Sequence, residues 1–375
     1  LRILRLAFPR HRRTFKQAGA AKIEKMGSLK EALLYEQLSG GRAKCNLCHR
    51  RCTIPPGSTG FCKVRRNVDG RLYSLVYGKA IAVNVDPIEK KPLYHYRPGS
   101  AVLSIATIGC NFRCRFCDNW VISQEEEIIG KNLPPERVVE LAVKHGSDGI
   151  SYTYTEPTIF FEYAYDTAVL ARQRGLFNTF VTNGYMTPEA VKTIAPYLDA
   201  ATVDFKGSAN PDFYREFMSV PSPEPIFETL REMKASGIFV EITNLIVTKY
   251  GDNLDDVYSL ASRIKEILGP CTPFHLLRFH PDYQLMDAPS TPIQTLEKAA
   301  EKALDAGLKH VYIGNVPGHR LEHTYCPNCG QLVIKREGFY LSAWNLKDTQ
   351  CPNCNHSLNI VGPVTRSRAR WASLL

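Results

Sequence analysis

Twelve cysteines constrain this 375-residue chain more than any other feature, because eleven of them stand in three tight groups. The first is Cys45, Cys48, Cys52 and Cys62; the second is Cys110, Cys114 and Cys117; the third is Cys326, Cys329, Cys351 and Cys354. A disulfide-stapled secreted domain is short and does not bunch its thiols two and three residues apart. Thiols so spaced can converge on metal, which points to a reducing, cytoplasmic compartment. Cys271 stands alone before Thr272-Pro273 and reads as a small buried side chain.

Between about residues 100 and 315, apolar runs alternate with amphipathic segments. The expected strands are Val102–Thr107, Gly149–Tyr154, Asn178–Val181, Ala200–Phe205, Phe239–Val247, Pro273–Phe279 and His310–Ile313. They are β-branched, aromatic and almost continuously apolar, as strands buried on both faces are. Helices are expected over Pro135–His145, Glu156–Arg174, Pro188–Tyr197, Pro225–Ser236, Leu254–Leu268 and Pro292–Ala306, several opened by Pro and closed by Gly. Repeated β-helix-β units give an open doubly wound sheet or a barrel, and seven strands fit a partial (β/α) barrel. Chemistry then belongs at the carboxyl ends of the strands. Unusual polar residues do follow those strands: Thr155-Glu156, Asn183-Gly184, Asp204 with Lys206, Arg278 with His280, and Asn315.

The loop after the first of these strands reads Gly109-Cys110-Asn111-Phe112-Arg113-Cys114-Arg115-Phe116-Cys117, a C-x3-C-x2-C spacing. Three thiolates on a four-iron cluster leave one iron open for catalysis, whereas four would suit structure or electron transfer. A three-cysteine zinc site completed by His or water is the alternative from spacing alone.

The C-x3-C-x-aromatic-C pattern resembles the signature of the radical S-adenosylmethionine superfamily. The runs Gly78-Lys79, Asp86-Pro87-Ile88-Glu89-Lys90-Lys91-Pro92-Leu93, Thr153-Tyr154-Thr155-Glu156-Pro157-Thr158 and Gly314-Asn315-Val316-Pro317-Gly318 resemble more closely the AmmeMemoRadiSam-system radical SAM enzymes. These are related to the activating enzymes of pyruvate formate-lyase. The resemblance spans about residues 28–362. It implies a [4Fe-4S] cluster on Cys110, Cys114 and Cys117, shielded by Phe116, with S-adenosylmethionine chelating the open iron. Reductive cleavage would give a 5′-deoxyadenosyl radical that abstracts hydrogen from a substrate the sequence does not identify. Glu156, Asn183, Asp204, Lys206 and His280 fall where related enzymes bind S-adenosylmethionine, although Tyr154-Thr155 replace the two glycines many of them carry before the glutamate. A one-electron reductant is implied, and the family name implies Memo-like and AMMECR-like partner proteins. The other readings are a glycyl-radical-enzyme activating enzyme working on a partner protein and a non-enzymatic metal-binding adaptor.

Cys45, Cys48, Cys52 and Cys62 fill a structural zinc site or hold a second iron–sulfur cluster, and spacing leaves both open. Cys326-Pro327-Asn328-Cys329 and Cys351-Pro352-Asn353-Cys354 form two knuckles around strand-like Gln331–Lys335 and Phe339–Trp344. That pattern reads as a zinc ribbon, with a rubredoxin-like iron site as runner-up. The expected fold is therefore α/β: a partial (β/α) radical-SAM barrel over 99–318, a four-cysteine module over 26–98, and a zinc ribbon over 319–362.

Basic tails flank this body. Lys and Arg number 47 against 37 Asp and Glu, a formal charge of +10. Residues 1–25 carry eight bases and one acid (+7), and 363–375 carry three bases (+3), so the +10 resides wholly in these tails. The first tail reads as disordered or an over-extended start. A neutral body gives no ground for a nucleic-acid partner. No apolar run approaches the ~18 residues of a membrane span.

Overall fold

The computed structural model describes residues 29–366 and 372–375. The stretch 1–25, read as an over-extended start or disordered tail, lies outside them. Eight strands enter one sheet in chain order: β1 (Ala82–Pro87), β2 (Ala101–Ala106), β3 (Gly149–Tyr152), β4 (Phe177–Thr182), β5 (Ala200–Lys206), β6 (Phe239–Ile246), β7 (Phe274–Arg278) and β8 (Val311–Gly314). Strands β2 to β8 are parallel, and each pairs with its neighbour in sequence. A doubly wound sheet reverses direction at a switch point. This one never reverses, so its crossovers all wind the same way, as in an arc of a barrel. Burial explains the apolar runs, since every residue of β2 and β3 is buried.

The helices between these strands are α1 (Trp120–Ser123), α2 (Pro135–Lys144), α3 (Phe161–Gln173), α4 (Pro188–Ile194), α5 (Pro211–Met218), α6 (Glu224–Ala235), α7 (Leu254–Leu268) and α8 (Ile293–Asp305). Local chemistry sets their starts. Thr187, Asn210 and Asn253 each accept a hydrogen bond from a first-turn amide, with Pro following at 188 and 211. The helix expected from Glu156 begins later, at Phe161, because the Glu156 carboxylate takes the Thr158 amide and holds Pro157–Phe160 in a tighter turn. None of the described helices is long and apolar enough to cross a membrane.

Ahead of the sheet, short antiparallel strands (Lys30–Glu31 with Arg71–Ser74 and Arg65–Val68; Tyr35–Leu38 with Arg42–Cys45 and Thr53–Ile54) carry the first cysteine group. They are clamped to α3 by a buried fork: Arg65 Nη1 and Nη2 donate to Glu162 at 2.8 and 2.9 Å. Removing one partner of such a buried pair costs about 3–5 kcal/mol. Residues 82–87 fall in the segment assigned to this module, yet as β1 they pair antiparallel with β2.

After β8 come β9 (Thr324–Tyr325), β10 (Leu332–Glu337) and β11 (Tyr340–Trp344), an antiparallel sheet around the third cysteine group. The last element, β12 (Ala372–Ser373), pairs antiparallel with β1, so the chain end within the second basic tail joins the main sheet.

Candidate active site

The loop that follows β2 is shaped by its neighbours on both sides. Gly109 has φ +91°, and a Cβ there would lie 2.7 Å from Val64 Cγ1 and 3.0 Å from the Cys62 carbonyl. Only glycine lets the cysteine loop pass under the first module. Arg113 then fastens it, donating from Nη1 to the Cys110 and Phe112 carbonyls (2.7 and 2.9 Å) and from Nη2 to the Phe61 carbonyl (2.7 Å). On the far side, the Arg113 and Arg115 amides donate to the carbonyls of Met218 and Phe217 at the end of α5. Phe116 is buried, its ring 5.6 Å from Phe213 and 6.5 Å from Phe279.

Burial pushes all three thiols upward in pKa: Cys114 to about 12, Cys110 well above the ordinary range, and Cys117 less so, with the Ser123 hydroxyl 3.2 Å away working the other way. Thiols so shifted become thiolates when a metal takes the sulfur and the proton is released to solvent. Among the described residues, the three sulfurs are not gathered within 4.8 Å of one another, as ligands of a single ion would be. Such a donor set fits a cluster that offers each thiolate its own metal.

Two groups of the expected residues assemble around these thiols. Asn183 follows β4 and donates from Nδ2 to Asn111 Oδ1 at 2.7 Å, while its own Oδ1 accepts the Tyr185 amide. Glu156 is buried and both its oxygens are hydrogen-bonded: Oε1 accepts the Thr158 amide (3.0 Å) and the Thr158 and Thr182 hydroxyls (2.5 and 2.7 Å), and Oε2 accepts the Asn183 amide (2.8 Å). The carboxylate thus ties β3 to β4 beside Cys110.

The second group lies toward β5. Burial opposes the charge on Lys206, but Asp204, 3.6 Å away, and the three cysteines outweigh it and hold its pKa above the ordinary value. Asp204 also accepts from the Thr243 hydroxyl. His280 is exposed on the rim, 3.0 Å from the Ser290 hydroxyl. Between them stands Asp118, which sequence reasoning passed over although it directly follows Cys117. Partial desolvation and Asp282 raise its pKa, and His280 and Lys206 oppose the rise. Trp120 and Tyr283 stack at 5.0 Å on the same rim.

The Tyr154 departure from a glycine has a structural explanation. Tyr154 adopts φ +63°, a conformation suited to glycine, and is held there by its hydroxyl, which donates to Asp86 while accepting from Asn84 Nδ2 (2.9 Å). Arg278 and Asn315 serve the scaffold: Arg278 Nε donates to the Thr291 carbonyl and Asn315 Nδ2 to the Arg278 carbonyl.

The third cysteine group converges tightly. Cys326 and Cys354, and Cys329 and Cys351, pair at 3.6 Å, and all four sulfurs lie within 4.8 Å of one another. The first group lines one small cavity shared with Arg50, Arg65 and Asn111.

The chain is similar to several known proteins. A model of the Radical SAM superfamily matches residues 104–264. An uncharacterized protein of Methanocaldococcus jannaschii is 48% identical over 337 residues, covering 89% of this chain and the whole of that protein. A second protein of that organism, provisionally named a glycyl-radical enzyme activating enzyme, is 23% identical over 222 residues, 56% of this chain and 88% of its own. A solved domain of a pyruvate-formate lyase-activating enzyme from Bacteroides vulgatus covers 45% of this chain and all of its own, at 17% identity and TM-score 0.40. A radical SAM methyltransferase from Sphaerobacter thermophilus covers 58% of this chain and 67% of its own, at 14% identity and TM-score 0.46.

Proposed function

The chain belongs to the Radical SAM superfamily, and from that premise we propose that Cys110, Cys114 and Cys117 hold its [4Fe-4S] cluster at the strand ends, with S-adenosylmethionine beside it. The observation that carries this reading is the thiol loop after β2, in which Cys114 is buried, Cys110 and Cys117 are half-buried, and the three sulfurs are not gathered as ligands of a single ion would be. When bound, the cluster and S-adenosylmethionine supply reductive cleavage to a hydrogen-abstracting 5′-deoxyadenosyl group.

The chain's own residues bind, orient and shield. Phe116 keeps water from one side of the thiols, and Lys206 balances their negative charge. Asn111 and Asn183 fix the turn at Cys110. Glu156 acts on the ligand through that turn, since its oxygens already accept four hydrogen bonds. Asp204, which accepts from Thr243 and pairs with Lys206, and Asp118 are the further carboxylates that could receive an ammonium there. Structural zinc in the ribbon fits the 3.6 Å sulfur pairs, because Zn–S bonds of about 2.3 Å place tetrahedral thiolates about 3.8 Å apart. The AmmeMemoRadiSam assignment, its Memo-like and AMMECR-like partners, a one-electron reductant and a cytoplasmic setting belong to the same reading, supported by the sequence runs quoted above and by twelve free thiols.

A second reading, activation of a glycyl-radical partner, is favoured by the name of the 23%-identical archaeal protein. Anaerobic reconstitution with iron and sulfide, then reduction in the presence of S-adenosylmethionine, tests the first. We expect 5′-deoxyadenosine from the native chain and none from Cys114→Ala. A spectroscopically verified cluster that yields no deoxyadenosine overturns it. A glycine-centred paramagnetic signal on a co-incubated partner selects the second reading.

A further inference from the structure

We propose that Cys45, Cys48, Cys52 and Cys62 hold a second iron–sulfur cluster of the four-iron type, rather than zinc, and that this cluster feeds electrons to the thiol loop at Cys110, Cys114 and Cys117. The argument begins with sulfur spacing. Four thiolates on one zinc stand about 3.8 Å apart, given Zn–S bonds of about 2.3 Å in a tetrahedron. The ribbon thiols meet that demand, with pairs at 3.6 Å and all four sulfurs within 4.8 Å. The first group does not. Its four thiols line one cavity, yet they make no sulfur–sulfur hydrogen-bonding contact, and among the described residues the ribbon set alone gathers three or more ligand atoms within 4.8 Å. Thiols that share a cavity at wider spacing need a ligand with a separate metal for each. A four-iron cluster presents one iron to each thiolate.

The cavity wall also offers hydrogen-bond donors to an anion. Arg65 lines it and is 2% exposed; its two Nη atoms are taken by Glu162, while Nε is buried without a partner. Asn111 also lines it, is fully buried, and leaves Nδ2 unpartnered. Arg50 adds a second guanidinium. Arg65 Nε and Asn111 Nδ2 are buried donors with no acceptor in the protein, beside four thiols that become anionic on metal binding, whereas Arg50 already donates to the Asn111 and Ser219 carbonyls. Cluster sulfides and thiolates supply the missing acceptors.

Position gives the site its role. Asn111 belongs to the cavity wall and directly follows Cys110 in the thiol loop. The Cys62 carbonyl lies against Gly109, and the Phe61 carbonyl receives Arg113 of that loop. In the step proposed, an external low-potential one-electron donor loses one electron, the four-thiolate cluster accepts it, and it passes to the three-thiolate cluster, which ends reduced. The first cluster returns to its oxidised form and no proton moves. This role rests on the proposed cluster at Cys110, Cys114 and Cys117; the metal identity at the first group does not.

The test uses the full chain, reconstituted anaerobically with ferrous iron and sulfide, as the native protein and as the Cys110→Ala, Cys114→Ala, Cys117→Ala triple variant. We expect about eight irons and eight sulfides per native chain, and about four of each in the variant, given four irons per cluster. Adding Cys48→Ser to the triple variant should remove the remainder. Should the variants misfold, the native chain alone decides: its fully reduced form should show two paramagnetic centres broadened by each other. About four irons with two zincs per native chain, one zinc being lost with Cys48→Ser, overturns the proposal. For the electron role, Cys48→Ser should lose the fast phase of reduction by methyl viologen radical at an intact three-thiolate cluster; an unchanged fast phase removes that role. A native chain with eight irons that forms no deoxyadenosine counts against the proposed function and leaves the second cluster standing.

Discussion

Glu89 and Asp86 sit three residues apart, both buried, and their environments drive them in opposite directions. Glu89 Oε1 accepts the Gly99 amide at 2.8 Å, but Oε2 has no partner. Burial raises its pKa to about 7 from an ordinary 4.5, against a modest pull from Arg336. For Asp86, burial also opposes the charge, yet Lys91 at 2.7 Å, Lys90 at 2.9 Å and the Tyr154 hydroxyl outweigh it and hold the carboxyl well below the usual range. The signs differ accordingly. Asp86 contributes stability that is present above the ordinary carboxylate range and is lost as pH falls through its depressed pKa. Glu89, with its folded pKa raised, contributes stability that is fully present below about pH 4.5 and is lost as pH rises through about 7. The Glu89 difference amounts to on the order of 3 kcal/mol. We therefore expect Glu89→Gln to flatten the decline in stability between pH 5 and 8, read as urea midpoints across that range. A decline of unchanged slope in the variant would assign it to another group. Nothing in the run Asp86-Pro87-Ile88-Glu89-Lys90-Lys91 announced this division, because it depends on which carboxylate meets a lysine and which meets a wall.

At the level of elements, the strands were legible and their surroundings less so. Continuous apolar runs located β2 to β8 to within a residue or two at most boundaries, because strands covered on both faces have no polar side to mislead the reading. Strand β1 escaped notice: it alternates buried and part-buried residues at the antiparallel side of the sheet and ends in Asp86-Pro87. Helix α5 also escaped, although Asn210 and Pro211 form an ordinary helix start, and its Phe213 and Phe217 underlie the thiol loop. The cysteine positions were plain in the sequence, but the packing of the first module onto the loop was not, since it turns on one glycine. Gly109→Ala must place a Cβ 3.0 Å from the Cys62 carbonyl at φ +91°. The strained backbone alone costs about 1–3 kcal/mol. The expected outcome is a chain that still folds its sheet, by circular dichroism, but takes up less iron at Cys110, Cys114 and Cys117 after reconstitution. Full iron loading in Gly109→Ala would show that the loop can close without the module.

Over the whole molecule, buried guanidinium contacts hold distant segments together. The formal charge of +10 belongs to the two tails, so the body that carries the thiol loops is neutral and is joined by specific contacts rather than by its overall field. At the amino-terminal side that contact is the Arg65–Glu162 fork. At the third cysteine group it is Arg336, a fully buried cation on β10 whose guanidinium lies 4.0 Å from the centre of the Tyr94 ring. Its Nη1 donates to the Thr324 hydroxyl at 2.7 Å and its Nη2 to the Tyr94 carbonyl at 3.0 Å. The four ribbon thiols, by contrast, lie wholly within residues 326–354 and need no barrel atom to converge. Docking and metal binding are therefore separable. Arg336→Ala takes the donor from the buried Tyr94 and Glu322 carbonyls, at about 1–3 kcal/mol each, while the Thr324 hydroxyl keeps its contact with the Tyr312 hydroxyl and all four thiols stay in place. Arg336→Lys should rescue little, because an ammonium cannot fork to both acceptors and stack on the ring. We expect limited proteolysis to cut Arg336→Ala within residues 319–323 at protease levels that spare the native chain, and the released four-cysteine segment to bind metal as the native chain does. Loss of the metal together with the docking would mean that the barrel shapes the four-thiol site, and that the ribbon is not a unit of its own.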